Sequence, residues 1–325
     1  MLFLRMSKAL PSPSFMTVSQ KNIFTGISLA ILAAFIWSGN FIIARKVIKD
    51  IPPVSLAFYR WLLASVIIFP FAIKQFIKEW AAVKKAWHYL FWASLTGITL
   101  FNTFVYIGAH YTSAINLALI GTTSSPIIAI ILARIFLKEE IGLTKLSGLI
   151  LCIIGVLFLL SKGNFQNLLT LSFSKGDLWV IAAGCSFAIY NTLVKKKPAS
   201  ISPLTFLLAL FWLGTILLFP FYIWELNPAE PVKKSNDLFL AILYLGLGAS
   251  VISFLIWNMA ISKLGAARTI LFGNLIPIFS SLGAVIFLDE QFTATHVISM
   301  TIVFAGIIIA NLRLSYSPKN STKAI

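Results

Sequence analysis

Charge is scarce in this chain. Of its 325 residues only 11% are Asp, Glu, Lys or Arg, and the acids number ten. Cysteine is confined to Cys152 and Cys185, both inside apolar runs. They read as small core residues, and neither a disulfide framework nor a metal site is expected of them. The chain has no GxxxxGK[ST] loop, no HExxH and no GxSxG, so ATP is not expected as an energy source and an enzyme reading has nothing to stand on. No cofactor is expected. Long polar segments are missing too: the longest connections, 162–176 and 225–237, are too short to hold a soluble domain. Whatever the protein does takes place among its apolar segments.

Those segments dominate. Hydrophobic residues make up 59% of the chain and the mean hydropathy is +0.92. A membrane leaves the backbone two solutions, helices or closed barrels. The apolar runs are continuous and lack a period of two, which fits helices of roughly 20 residues each. Ten spans are expected, at 25–45, 53–73, 88–109, 114–136, 143–161, 177–195, 203–224, 238–261, 266–288 and 293–311. The fold class is thus an all-α integral membrane protein, with the lipid bilayer as one partner. Residues 1–22 lack an apolar stretch long enough for a signal peptide; they read as a cytoplasmic tail, with Met6 and Met16 as alternative starts.

The formal net charge of +16 comes from basic residues in the short connections. There it reads as a topology signal meeting anionic lipid, and no nucleic-acid partner is expected. With the N-terminus inside, eighteen Lys and Arg fall on the cytoplasmic side and seven on the other, leaving Arg60 within a span. Both termini are therefore expected in the cytoplasm.

The chain also repeats itself. The stretch NLALIGTTSSPIIAIILARIFLKEE from Asn116 returns as ARTILFGNLIPIFSSLGAVIFLDEQ from Ala267, with Pro126 on Pro277 and Glu139 on Glu290 at an offset of 151. Pro53, Pro70 and Phe71 meet Pro203, Pro220 and Phe221; Gly97 and Tyr106 meet Gly248 and Trp257; Gly155 meets Gly306. Five spans per half is an odd number, so the second copy is expected to be inverted, an arrangement that places a transporter's substrate at the repeat interface. The expected organisation is a tail (1–22), a five-helix repeat (23–161), a linker (162–176), a second repeat (177–313) and a tail (314–325).

These residues carry a resemblance. WSGNFIIARK at Trp37 to Lys46, FYRW at Phe58 to Trp61, the paired proline spans and the Phe-Leu-x-Glu ends at Phe136 to Glu139 and Phe287 to Glu290 resemble the EamA-type members of the drug/metabolite transporter superfamily, over about residues 23–313. The resemblance implies ten helices in two inverted five-helix repeats and export of small metabolites from the bacterial cytoplasm, hence a multi-pass protein of the inner (plasma) membrane. It also permits an uptake permease for a nucleoside-like metabolite. A membrane enzyme or scaffold acting on lipid stands as the alternative from another class.

Polar residues within spans are expensive and so informative. Trp37 and Asn40 stand in the first span; Asn102, Tyr106 and His110 in the third lie at i, i+4 and i+8 and share a face. The eighth span offers Phe254 and Asn258 in the same spacing, with Trp257 where Tyr106 stands. With Thr122, Tyr190, Asn191 and Asn274 these form the candidate substrate site, suited to an amphipathic, uncharged or zwitterionic small molecule. Taken singly, each Asn reads equally as interhelical glue worth about 0.6 kcal/mol, and Tyr106 and Trp257 equally as packing. Pro126 and Pro277 read as kinks and hinges, freeing the carbonyls of Thr122 and Gly273. Eight glycines, Gly155 and Gly306 among them, read as close helix crossings. Arg60 lies about two turns from Pro53; it reads as snorkelling outward or paired structurally, the alternative being a cation facing a carboxylate or backbone carbonyls. All ten acids fall in connections or at helix ends, so no midplane acid serves a proton relay; Glu139 and Glu290 read as helix-end acids paired to Lys138 or Lys145.

Overall fold

The computed structural model describes residues 18–136, 142–164, 166, 174–194, 196–227, 232, 235–264, 269 and 272–311. The readings made for Lys138, Glu139 and most of both tails lie outside these residues, and so does the side chain of Lys145. Every regular element among the described residues is helical. In chain order they are α1 (Val18–Lys46), α2 (Pro53–Lys78), the short α3 (Trp80–Lys85), α4 (Trp87–Ala109), α5 (Ala114–Phe136), α6 (Leu143–Leu160), α7 (Lys175–Val194), α8 (Pro203–Glu225), α9 (Asn236–Leu264), α10 (Leu275–Leu288) and α11 (Ala294–Asn311). Six of them, α1, α2, α4, α7, α8 and α9, are long and apolar enough to cross a membrane, and α6, α10 and α11 contain shorter apolar stretches.

Local chemistry explains where the rods begin. Both α2 and α8 open with proline, Pro53 and Pro203, at the position where a missing N–H costs nothing. Ser202 caps α8 by accepting the Thr205 amide at 3.3 Å. Pro70 and Pro220 stand further along within the same two helices. In α4 and α9 the helix widens into a π-helical segment, Leu95–Leu100 in one and Tyr244–Ile252 in the other, at matching places in the two copies. Such segments are rare and gather at functional sites.

Packing follows the duplication. Glu79 at the end of α2 accepts the Ser202 amide at the start of α8 at 2.8 Å, while Glu225 at the end of α8 accepts the amides of Val54 and Ser55 at the start of α2 at 3.0 and 2.6 Å. The two helices therefore lie antiparallel. Between these ends Ser65 meets Thr215, its counterpart in the other copy, hydroxyl to hydroxyl at 3.2 Å. The same reciprocity joins α6 and α11. A Cβ on Gly155 would lie 2.7 Å from Val303 Cγ2 and 3.1 Å from Ser299 O, and one on Gly306 would lie 2.7 Å from Gly148 O and 2.8 Å from Cys152 N. Cys152 Sγ sits 3.6 Å from the Val303 carbonyl, and Ser299 Oγ donates to the Gly155 carbonyl at 2.7 Å. Positions 148, 152 and 155 map onto 299, 303 and 306, so each helix meets the other through matching residues about a two-fold axis. Likewise α1 packs on α9 and α10 where their counterparts, α7 against α4 and α5, also pack. Since lipid offers no hydrophobic drive between helices, such close backbone approach and shared hydroxyl bonds hold the bundle.

Of the two proline spans, the reading of the second is corrected. Helix α5 continues through Pro126, and Thr122 donates its hydroxyl to Ala118 one turn back at 2.6 Å. Around Pro277 the chain is broken, but upstream of the proline: Gly273 and Asn274 form a turn, α10 starts at Leu275, and Pro277 stands in its first turn. The Gly273 carbonyl is not left free, because Ile276 N donates to it at 3.1 Å. A proline in a first turn has no intrahelical bond to break, so the separation comes from glycine and asparagine. Gly121 and Gly248 are not tight crossings either, the nearest atoms to an added Cβ being 3.4 and 3.6 Å away.

Candidate functional site

Arg60 is the centre of the polar interior. It is 4% exposed, on the inward face of α2, and neither snorkels outward nor meets a carboxylate or a backbone carbonyl. The spacing from Pro53, seven residues or about 10 Å of helix, leaves its direction open; the bundle turns it inward because α1, α4 and α9 bring acceptors to it. Its Nη1 donates to Asn40 Oδ1 at 2.6 Å, Asn102 Oδ1 at 2.7 Å and the Tyr106 hydroxyl at 2.8 Å, and its Nε donates to Ser250 Oγ at 2.8 Å. Tyr106 donates its hydroxyl to Asn40 Oδ1 at 3.0 Å, and Ser250 donates to the Leu245 carbonyl five residues back at 2.9 Å. That five-residue reach is the spacing of the π segment, so the widened turn aims Ser250 at the cation. The Trp61 ring presents its face to the guanidinium with 4.8 Å to the centroid.

Of the expected site residues, Asn40, Asn102 and Tyr106 are thus brought together. Trp37 lies one turn before Asn40 and donates Nε1 to the Ala249 carbonyl at 2.9 Å, beside Ser250; the Trp257 and Phe254 rings lie 5.0 and 5.5 Å from its own. Four others stand elsewhere. Asn191 approaches Ser125 Oγ at 3.5 Å, Tyr190 is buried against Phe187, Thr122 bonds within its own helix, and Asn274 occupies the turn before α10 without a capping bond. His110 closes α4 and takes no part in the Arg60 cluster. Asn258 is exposed and is not among the partners of Arg60. The reason is register: at the 151-residue offset Asn102 falls on Ser253, which is buried and donates to the Gly248 carbonyl at 3.0 Å. The aromatic and amide spacing selects residues one position further on, about 100° round the helix.

The missed residue is Ser250. Its signal was the duplication itself, since Ser250 stands where the first copy has Thr99, a buried hydroxyl in the matching π segment. Also missed was the role of the helix-end acids. Glu225, Glu79 and Glu290 cap the start of a helix belonging to the other copy; Glu290 takes the Ala114 and Ile115 amides at 2.7 and 3.1 Å. Burial works against ionisation of Glu79, but bonds from the Gln75 side chain, the Ser202 amide and the Thr205 and Ser202 hydroxyls outweigh it and hold the carboxyl down at about 2. Among the described residues no group of three or more His, Cys, Asp or Glu is placed to hold a metal ion.

The sequence compares closely with membrane transporters. It matches the model of the EamA-like transporter family twice, over residues 24–161 and 174–312. A transporter of unassigned substrate from Archaeoglobus fulgidus is 29% identical over 287 residues, covering 88% of this chain and 96% of the relative. Transporter YyaM of Bacillus subtilis is 29% identical, covering 91% and 97%. A protein of Escherichia coli K12 named a probable amino-acid metabolite efflux pump is 23% identical, covering 86% and 93%. One solved structure aligns with a TM-score of 0.60 at 14% identity, over 88% of this chain and 96% of that one, a likeness of fold. With an all-helical bundle, six helices long and apolar enough to cross a membrane, and two family matches that together span most of its length, this chain belongs to the EamA-like transporter family.

Proposed function

We propose that the protein is a secondary transporter that carries a small organic metabolite across the membrane by alternating access, with Arg60 and its partners as the substrate site. The observation that carries this reading is a buried cation coordinated by both copies at once: α1, α2 and α4 of the first and α9 of the second. A charge kept inside a bundle is costly and marks a pathway or binding site by default. The antiparallel pairing of α2 with α8 supports inverted repeats of five spans each, 23–161 and 177–313, ten helices in all, and the basic residues support both termini in the cytoplasm. Alternating access then rocks one repeat on the other. Pro126 and Pro277 stand at equivalent places, the second just after the break at Gly273 and Asn274, and serve as the hinges. The name of the Escherichia coli relative favours amino-acid metabolites and outward transport.

Reconstitution tests this. Purified protein in liposomes is expected to exchange a radiolabelled amino acid across the bilayer without altering it chemically, and Arg60→Gln is expected to abolish the exchange. Failure of the wild-type protein to move any member of a broad amino-acid and nucleoside panel would turn the reading toward a role in lipid chemistry.

A further inference from the structure

The guanidinium of Arg60 carries a charge that no described residue neutralises. Its four hydrogen bonds run to two amide oxygens, a phenol and a hydroxyl, all neutral acceptors. Among the described residues no Asp or Glu side chain touches it. The bonds engage Nε and Nη1 only; Nη2, the second prong of the fork, meets no acceptor among the described residues. A buried side chain thus lacks both a counter-charge and an acceptor at the same atom. One chemical group supplies both, a carboxylate, whose charged oxygen accepts from the unengaged Nη2 in a charge-assisted bond. A phosphate dianion calls for more positive charge than one arginine, and among the described residues no second cation joins this cluster.

The surroundings describe the rest of the ligand. Trp37 is three residues from Asn40 and so on the same face of α1; its ring, with Trp257 at 5.0 Å and Phe254 at 5.5 Å, makes an aromatic wall beside Ser250 through the bond to Ala249. Resting on the transport reading above, we infer that the solute is a small organic acid with an apolar or aromatic body, its carboxylate received by Arg60 Nη2 and its body laid against Trp37 and Trp257. A zwitterion satisfies this requirement; a neutral solute does not.

The test uses the full chain in lipid nanodiscs near neutral pH, with tryptophan fluorescence reading the binding of matched probes. These are 3-phenylpropionate against 3-phenylpropionamide, phenylalanine against phenylalaninamide, and phenyl phosphate. The acid of each pair is expected to bind about tenfold or more tightly than its amide, the worth of one charge-assisted hydrogen bond. Asn40→Asp sets a carboxylate within reach of Nη1 and adds a paired charge to the fold; it is expected to erase the preference for the acid. Arg60→Gln should erase it too, and if that variant fails to fold, the wild-type pairs and Asn40→Asp decide. Equal binding of acid and amide, binding of neither, a preference that survives Asn40→Asp, or tighter binding of phenyl phosphate overturns the inference. The transport reading fails separately: liposomes that move no solute while the acid preference stands sink transport alone, and amide carried as fast as acid sinks the carboxylate alone.

Discussion

Gly306→Ala is the sharpest test of how the two copies meet. A Cβ there would stand 2.7 Å from the Gly148 carbonyl oxygen and 2.8 Å from both the amide nitrogen and the Sγ of Cys152. The first two of those atoms are backbone of α6, so no change of rotamer relieves the contact. Restoring ordinary separation, about 3.5 Å, requires the helices to part by roughly 0.7 Å along the whole crossing. Overpacking of this kind costs about 1–3 kcal/mol, against which alanine's better helix propensity returns about 1 kcal/mol, leaving a net loss of about 0–2 kcal/mol. Gly155→Ala differs in a way that makes the reasoning checkable. Its closest neighbour is a side-chain methyl, Val303 Cγ2 at 2.7 Å, while the backbone atoms stand off at 3.1 Å. Val303→Ala should therefore rescue Gly155→Ala, with a coupling of about 1 kcal/mol in a double-mutant cycle. Cys152→Ala should rescue Gly306→Ala by less than about half that, because the backbone obstacles remain. Unfolding in mixed detergent micelles by titration with SDS, followed by circular dichroism, measures all four. A Gly306→Ala protein more stable than wild type, or two cycles with equal coupling, would refute the crossing geometry.

Asn102→Leu removes an acceptor 2.7 Å from Arg60 and should lower stability by about 1–3 kcal/mol and transport with it, whereas Asn258→Leu, on an exposed face, should change stability by under about 0.5 kcal/mol and leave transport intact; counterflow in liposomes separates them. Glu225→Gln loses the charge that caps the Val54 and Ser55 amides, and a drop of about 1 kcal/mol is expected in thermal unfolding. Glu79→Gln should destabilise at neutral pH by an amount that fades in acid: the carboxyl is held below its ordinary 4.5, so its contribution is complete above 4.5 and is lost as pH falls toward about 2. A difference from wild type that persists unchanged down that window would count against the cap.

Much of this bundle is legible in the sequence because its physics is one-dimensional. Apolar length locates the helices, and the 151-residue offset pairs Gly155 with Gly306, the residues that the fold then sets on facing sides of one crossing. Asn40, Asn102 and Tyr106 are legible for the same reason, since a polar side chain within a span advertises itself. Direction is harder to read. Arg60 carries no mark of whether it turns to lipid or to the interior, and that depends on which helices flank α2. Spacing also misleads where an element departs from the α geometry. The amide of Asn258 imitates Asn102 at i, i+4 from Phe254, yet the true counterpart is Ser253, and the π segment just before it has no signature in the residue types. Proline misleads in the opposite sense: Pro277 marks the neighbourhood of a break that Gly273 and Asn274 make.

The two copies share a frame but not a charge. Asn40 maps onto Asn191, Asn102 onto Ser253, Tyr106 onto Trp257 and Thr99 onto Ser250, so each copy carries a version of the same polar ring. Arg60 alone has an apolar counterpart, Leu210, which is fully buried. Two guanidinium groups inside one bundle would repel and double the cost of withdrawing charge from water, so a duplicated bundle tolerates the cation in one copy only. Asn191, freed from any arginine, turns instead to Ser125. The consequence is a site displaced from the two-fold axis toward the first copy, even though Ser65 with Thr215 and Cys152 with Val303 keep the scaffold symmetric about it. Among the described residues Ser250 is the one polar tie from the second copy to the cation, through Nε. Any rocking of one repeat on the other must strain or break that bond while the three contacts within the first copy travel together, which makes the link between Arg60 and Ser250 the point where movement of the repeats reaches the site.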